Sequence, residues 1–148
     1  MINPEDFLNQ SVEGQLSTSI IPIPVGEYQA AVIAVALRDF LFKKGDKAGM
    51  TGYALDVNWE LADTSITEII KRDAKIRQSM ILDMSGQGLD MSEGCNITLG
   101  RIREAVGQND GSAWSPNNLV GAVAVIQITQ KMEGEDIYNE IKKVGKAA

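Results

Sequence analysis

Apolar and polar residues alternate most regularly between Thr51 and Ala62. Tyr53, Leu55, Val57, Trp59 and Leu61 share one side of an extended chain, and Ala54, Asp56, Asn58 and Glu60 take the other. A period of two over this length predicts a strand with one face on a core. From Lys75 the pattern returns: Ile76, Gln78, Met80 and Leu82 alternate with Arg77, Ser79, Ile81 and Asp83. The β-branched residues of Glu27–Phe40 predict an earlier strand. It follows an extended entry segment, Ile20–Val25, in which Pro22 and Pro24 remove two backbone donors. Leu119–Met132 predicts a fourth strand, Glu133–Asp136 an acidic turn and Ile137–Val144 a last strand.

Between the third and fourth strands the period changes. Gly86, Gly88 and Gly94 punctuate a loop, and Leu99, Ile102 and Val106 then fall at helical spacing. Asn96 or Thr98 is placed to cap that helix and Gly107 to stop it. Shorter helices are predicted after Pro4, through Phe7 and Leu8, and within Asp63–Asp73, carrying Ile66, Ile69 and Ile70. Gln108–Asn118 reads as a loop whose Trp114 plugs the edge of a core. The expected organisation is an N-terminal arm over residues 1–20 and one domain over 21–148. Five strands with one helix between the third and fourth predict a mainly β, α+β fold: a five-stranded OB-like barrel. Its core is expected to include Leu55, Val57, Met80, Leu82, Ile102 and Val125.

Charge narrows the function. The 148 residues hold 14 Lys and Arg against 20 Asp and Glu, a net charge of −6. Any polyanion must therefore be met by a local patch. The chain has no histidine, which removes the commonest general base and metal ligand. Its one cysteine, Cys95, has no partner for an internal disulfide and no histidine to activate it. No nucleotide-binding, hydrolase or zinc motif is present. Asp83, Asp90 and Glu93 offer the oxygen ligands a divalent cation prefers, but acids in a glycine loop are usually solvated, and that is the expectation here. A non-enzymatic protein without cofactor or metal is expected. Neither a signal peptide nor an apolar run of about 20 residues is visible, so no membrane partner is expected.

In OB barrels the face of strands 2 and 3, with the loops joining strands 1–2 and 4–5, binds oligonucleotides or oligosaccharides. On that frame the first loop carries Lys43, Lys44 and Lys47. The strand face carries Asn58, Lys75 and Arg77, with Arg72 at its margin. Phe42, Tyr53, Trp59 and Tyr138 are the candidates for stacking on bases, although Tyr53 and Trp59 also suit packing.

Short signatures carry a resemblance. They are Pro24-Val25-Gly26-Glu27-Tyr28, Arg77-Gln78-Ser79-Met80-Ile81-Leu82-Asp83 and Gly88-Leu89-Asp90-Met91. Next come Leu99-Gly100-Arg101-Ile102-Arg103-Glu104-Ala105-Val106-Gly107, Leu119-Val120-Gly121 and Tyr138-Asn139-Glu140-Ile141-Lys142. From Ile23 to Val144 the chain resembles a family of bacteriophage proteins taken to be OB-fold single-stranded DNA-binding proteins of replication modules. The resemblance implies sequence-tolerant binding of single-stranded DNA in the host cytoplasm, without chemistry. Self-association and contacts with replication or virion proteins are further expected partnerships. The alternative is a virion structural or decoration protein, or another protein–protein module, whose arm pairs with a neighbouring sheet edge.

Overall fold

A computed structural model describes residues 1–147. After a short helix α1 (Pro4–Leu8), the chain enters a sheet through β1 (Gly26–Leu41) and β2 (Thr51–Leu61). A helix α2 (Ser65–Ile70) leads to β3 (Lys75–Ile81). A miniature hairpin of β4 (Met84–Ser85) and β5 (Gly88–Leu89) precedes helix α3 (Ile97–Ala105). A 3-10 turn (Pro116–Leu119) then leads to β6 (Val123–Glu133) and β7 (Asp136–Lys146). Five strands form one antiparallel sheet in the order β3-β2-β1-β6-β7. The expected strands and the helix between the third and fourth long ones are present. The expected barrel is not closed: among the described residues no ladder joins β3 to β7.

The register explains why β1 lacks a clean alternation. Val32 pairs with Trp59 and Ala34 with Asn58, which leaves Ile33 without a partner as a bulge. The extra residue reverses the parity. Before it, Ala30 and Val32 face the core; after it, Val35 and Leu37 lie on the core side. Ala34, Ala36, Arg38 and Phe40 are thereby turned to the outer face, beside Asn58, Asp56, Ala54 and Gly52.

The core is built on the inner face. Val57, Trp59, Ile102, Leu119, Ile126 and Ile128 are fully buried. Leu55 and Met80 are buried as expected, and Leu82 packs against the cluster while partly exposed. Val125 is corrected. Its neighbours Ala124 and Ile126 face the core, so strand alternation turns Val125 outward, beside Gln29. The fourth long strand begins at Val123 rather than Leu119, because Pro116 starts a 3-10 turn that drives Leu119 into the core. Asn96 is at the cap of α3, but its side chain makes no cap bond. It spans the loop instead, accepting from the Asp83 amide at 2.8 Å and donating to the Asp90 carbonyl at 3.1 Å. Ile69 is exposed, while Ile66 and Ile70 anchor α2. Trp114 packs at the core margin, with Arg103 stacked 4.2 Å from its ring centre.

Two prolines flank Ile23, so its amide is the one donor in that tripeptide. Asn139 meets it both ways, accepting from the Ile23 amide at 2.8 Å and donating to its carbonyl at 2.9 Å. This pins the entry segment and buries Ile23. Residues 1–21 ahead of it are exposed throughout. No helix among the described residues is long and apolar enough to cross a membrane.

Candidate nucleic-acid interface

The outer face of β1, β2 and β3 is organised around a buried carboxylate. Asp56 lies opposite Ala36 on one side and Ser79 on the other. Arg38, one pair further along β1, reaches back to it: its Nε donates to Oδ2 at 3.2 Å and its Nη2 to Oδ1 at 3.3 Å. The Ser79 hydroxyl donates to the same carboxylate. The Asp56 side chain is 8% exposed and that of Arg38 is 49% exposed. The Arg38 hydrogen bonds hold the Asp56 carboxyl below its usual range against the opposing effect of burial, with Ser79 and the charge of Arg77 adding to the depression. Arg38 is raised in turn, chiefly by its bond to Asp56. The pair fixes a planar guanidinium on the surface with its remaining donors free for an incoming oxygen.

Two rows from Arg38, towards α2, Asn58 sits opposite Arg77; beyond them Glu60 sits opposite Lys75. Lys75 also pairs with Asp73 at 3.6 Å. In the other direction Phe40 sits opposite Gly52 and packs edge-on against Phe42, ring centres 4.8 Å apart. A Cβ at Gly52 would lie 2.6 Å from both rings, so glycine lets the pair pack onto the strand. The ammonium of Lys47 stands 5.5 Å from the Phe42 ring centre. Lys43, Lys44 and Lys47 occupy the exposed tip between β1 and β2. A shallow groove of about 200 Å³ runs between, lined by Arg38, Phe40, Ala54, Ser79, Met80 and Ile81.

Asn58, Lys75 and Arg77 are thus brought together as expected, while the tip lysines lie at the far end of the same hairpin. At ~3.3 Å per residue the six positions from Asn58 to Gly52 span about 20 Å. Arg38 and Phe40 bridge that distance. Sequence reasoning missed both, because only the bulge at Ile33 puts them on this face.

Three candidates for stacking on bases, Trp59, Tyr53 and Tyr138, are corrected. Trp59 is fully buried and its indole N–H donates to Gln78 Oε1 at 3.1 Å, so it offers no face to a base. Tyr53 pairs with Asp39 on the core side of the hairpin, opposite to Arg77. Arg72, half-buried, donates from Nη1 to the backbone carbonyls of Ile21 and Ile70, which ties the entry segment to α2. Tyr138 is exposed, but it pairs with Lys131 on the β6–β7 hairpin, away from the groove. Asp83 and Asp90 bracket Asn96, and among the described residues no His, Cys, Asp and Glu cluster suits a metal ion. Burial, then Asp90 and Asp83, pushes the Cys95 thiol up, away from a reactive thiolate.

No protein-family model matches the chain, and no curated protein is significantly similar to it.

Proposed function

We propose that this protein is a non-enzymatic, sequence-tolerant binder of single-stranded DNA, and that its sheet is an OB-like barrel left open between β3 and β7. The connectivity supports the second part. β1 pairs with both β2 and β6, β7 pairs with β6, and α3 connects the β3 region to β6. OB-folds are partly open five-stranded Greek-key barrels that bind oligonucleotides on the strand 2–3 face and the loop between strands 1 and 2. The turn between β6 and β7, Glu133-Gly134-Glu135-Asp136, is acidic and lies outside the proposed path.

One observation carries the functional reading. In a chain of net charge −6, Arg38, Lys75 and Arg77 share an outer face with the Phe40–Phe42 pair. Cations that track a backbone and aromatic rings that meet bases are the two elements of single-strand binding. The resemblance to phage replication-module proteins agrees with it. A fluorescence-anisotropy titration with oligo-dT at low salt tests the reading. Binding is expected, weakened by about 1–3 kcal/mol in Phe40→Ala. The same loss for every base composition is expected in Arg77→Ala, since a phosphate contact carries no sequence information. Absence of binding overturns the reading.

A second reading, a protein–protein or virion module, rests on a different observation. The arm exposes Ile2, Phe7, Leu8, Val12, Leu16 and Ile20. Among the described residues no ladder covers the β6-side edge of β1 from Ile33 to Leu41, a ready template for another strand. Size-exclusion chromatography with and without oligo-dT separates the two. A DNA-dependent shift supports the first reading, and a large assembly indifferent to DNA supports the second.

A further inference from the structure

The gap between β3 and β7 is a cleft rather than a closed seam. It has a volume of about 650 Å³, within the ~300–1,000 Å³ typical of small-molecule sites. Its lining includes Gln78 of β3, Ile102 of α3, and Ile141 and Val144 of β7. Arg101, Lys142, Lys143 and Lys146 also line it, against the single acid Glu104. Four of the chain's 14 cationic side chains therefore converge on one cleft of a protein with an acidic surplus. Among the described residues none of the four makes an ion pair. Four like charges facing a single acid repel, and a bound anion relieves that repulsion.

The backbone contributes as well. Gln127 pairs with Lys143 and Ile128 with Ile141, so Lys142 is the extra residue of a β-bulge. Bulges of this kind re-aim a side chain and recur beside binding sites. The apolar wall distinguishes the cleft from a bare anion patch. Ile102 is fully buried, and Ile141 and Val144 are packed against the core. Gln78 accepts the Trp59 indole N–H with its oxygen, which leaves its amide N–H groups to donate.

We infer that this cleft is a second ligand site, distinct from the outer face, that takes a nucleoside monophosphate unit. The cations hold the phosphate, the half-buried Ile141 and Val144 take the flat base, and the Gln78 amide meets a polar edge of that base. The inference stands without the outer-face reading, because it uses none of the same residues.

Isothermal titration of the full chain with dTMP, thymidine and inorganic phosphate tests it. dTMP is expected to bind at least about tenfold more tightly than either fragment, since each lacks one half of the recognition. The Lys142→Ala/Lys143→Ala variant, changed only at exposed positions, is expected to lose at least about tenfold in dTMP affinity. Phe40→Ala should leave dTMP affinity unchanged. Equal binding of phosphate and dTMP, undiminished binding in the lysine variant, or no heat with dTMP at millimolar concentration each overturns the site. Displacement of dTMP by 5′-phosphorylated oligo-dT assigns the ligand to a strand end, and failure to displace assigns it to free nucleotide. Loss of oligo-dT binding in Phe40→Ala with dTMP binding intact separates the two sites. Were oligo-dT never to bind while dTMP did, the outer-face reading alone would fail.

Discussion

Asp56 shows how a single acid makes a basic surface usable. Buried without partners, its charge would be costly; hydrogen-bonded to Arg38 and Ser79, it instead fixes a guanidinium in one orientation. Its folded pKa is depressed, so its contribution to stability is complete above its unfolded value of about 3.9 and is lost as pH falls through the lower folded value. In urea unfolding measured against pH, the stability gap between wild type and Asp56→Asn should be flat at neutral pH and shrink in acid below about pH 4. A gap independent of pH down to acid unfolding would show that the charge of Asp56 is not what matters. Trp59 makes the complementary case. Trp59→Ala should cost about 3–5 kcal/mol in unfolding free energy, because a fully buried indole is lost. A cost below roughly 0.5 kcal/mol would contradict its place in the core. Alternation in β2 already put Trp59 on the apolar side and Asp56 on the polar side. What it left open was the partner: the pairing of Asp56 with Arg38 depends on a strand register that neither segment encodes locally.

At the scale of the element, what was legible followed from local physics. The period-two runs of β2 and β3, the helical stripe of α3 and the stop at Gly107, whose φ is +74°, all rest on residues close in sequence. What was not legible came from pairing at a distance. The bulge at Ile33 reverses the parity of β1, so Arg38 and Phe40 change face although their own neighbours give no sign of it. Pro116 shortened β6, and Asn96 gave up its cap role to hold the loop after β3. The hairpin of β1 and β2 carries a direct test. Gly52→Ala puts a methyl carbon against both phenylalanine rings, which must move off the strand. Overpacking of this kind costs about 1–3 kcal/mol in a core and less where the rings can swing into solvent. Oligo-dT affinity should therefore fall in Gly52→Ala as it does in Phe40→Ala. Unchanged affinity in both would remove the ring pair from the interface.

Across the whole molecule, acids dominate the sum, and the outer face of β1–β3 interleaves the two signs: Arg38 pairs with Asp56, Lys75 pairs with Asp73 and sits opposite Glu60, and Arg77 sits opposite Asn58. Cations outnumber acids in the cleft between β3 and β7. Five strands with a helix between the third and fourth were legible in the sequence; the open seam was not, because closure depends on how far the sheet curls around α3. The arm contributes nothing to that core. Removing residues 1–20 should leave the unfolding free energy within about 0.5 kcal/mol, since every one of them is exposed. A larger loss would mean that the arm supports the domain it precedes. The salt dependence of oligo-dT binding tests the central claim most directly. If a local patch of Arg38, Lys75, Arg77 and the tip lysines neutralises about four phosphates, log K should fall against log salt with a slope of about −3. Affinity then drops on the order of 50-fold between 50 and 200 mM salt, and Arg77→Ala flattens the slope by about 0.7. A slope near zero, or no binding at 50 mM salt, would contradict the account: the outer face would then be a solvated surface of an acidic protein.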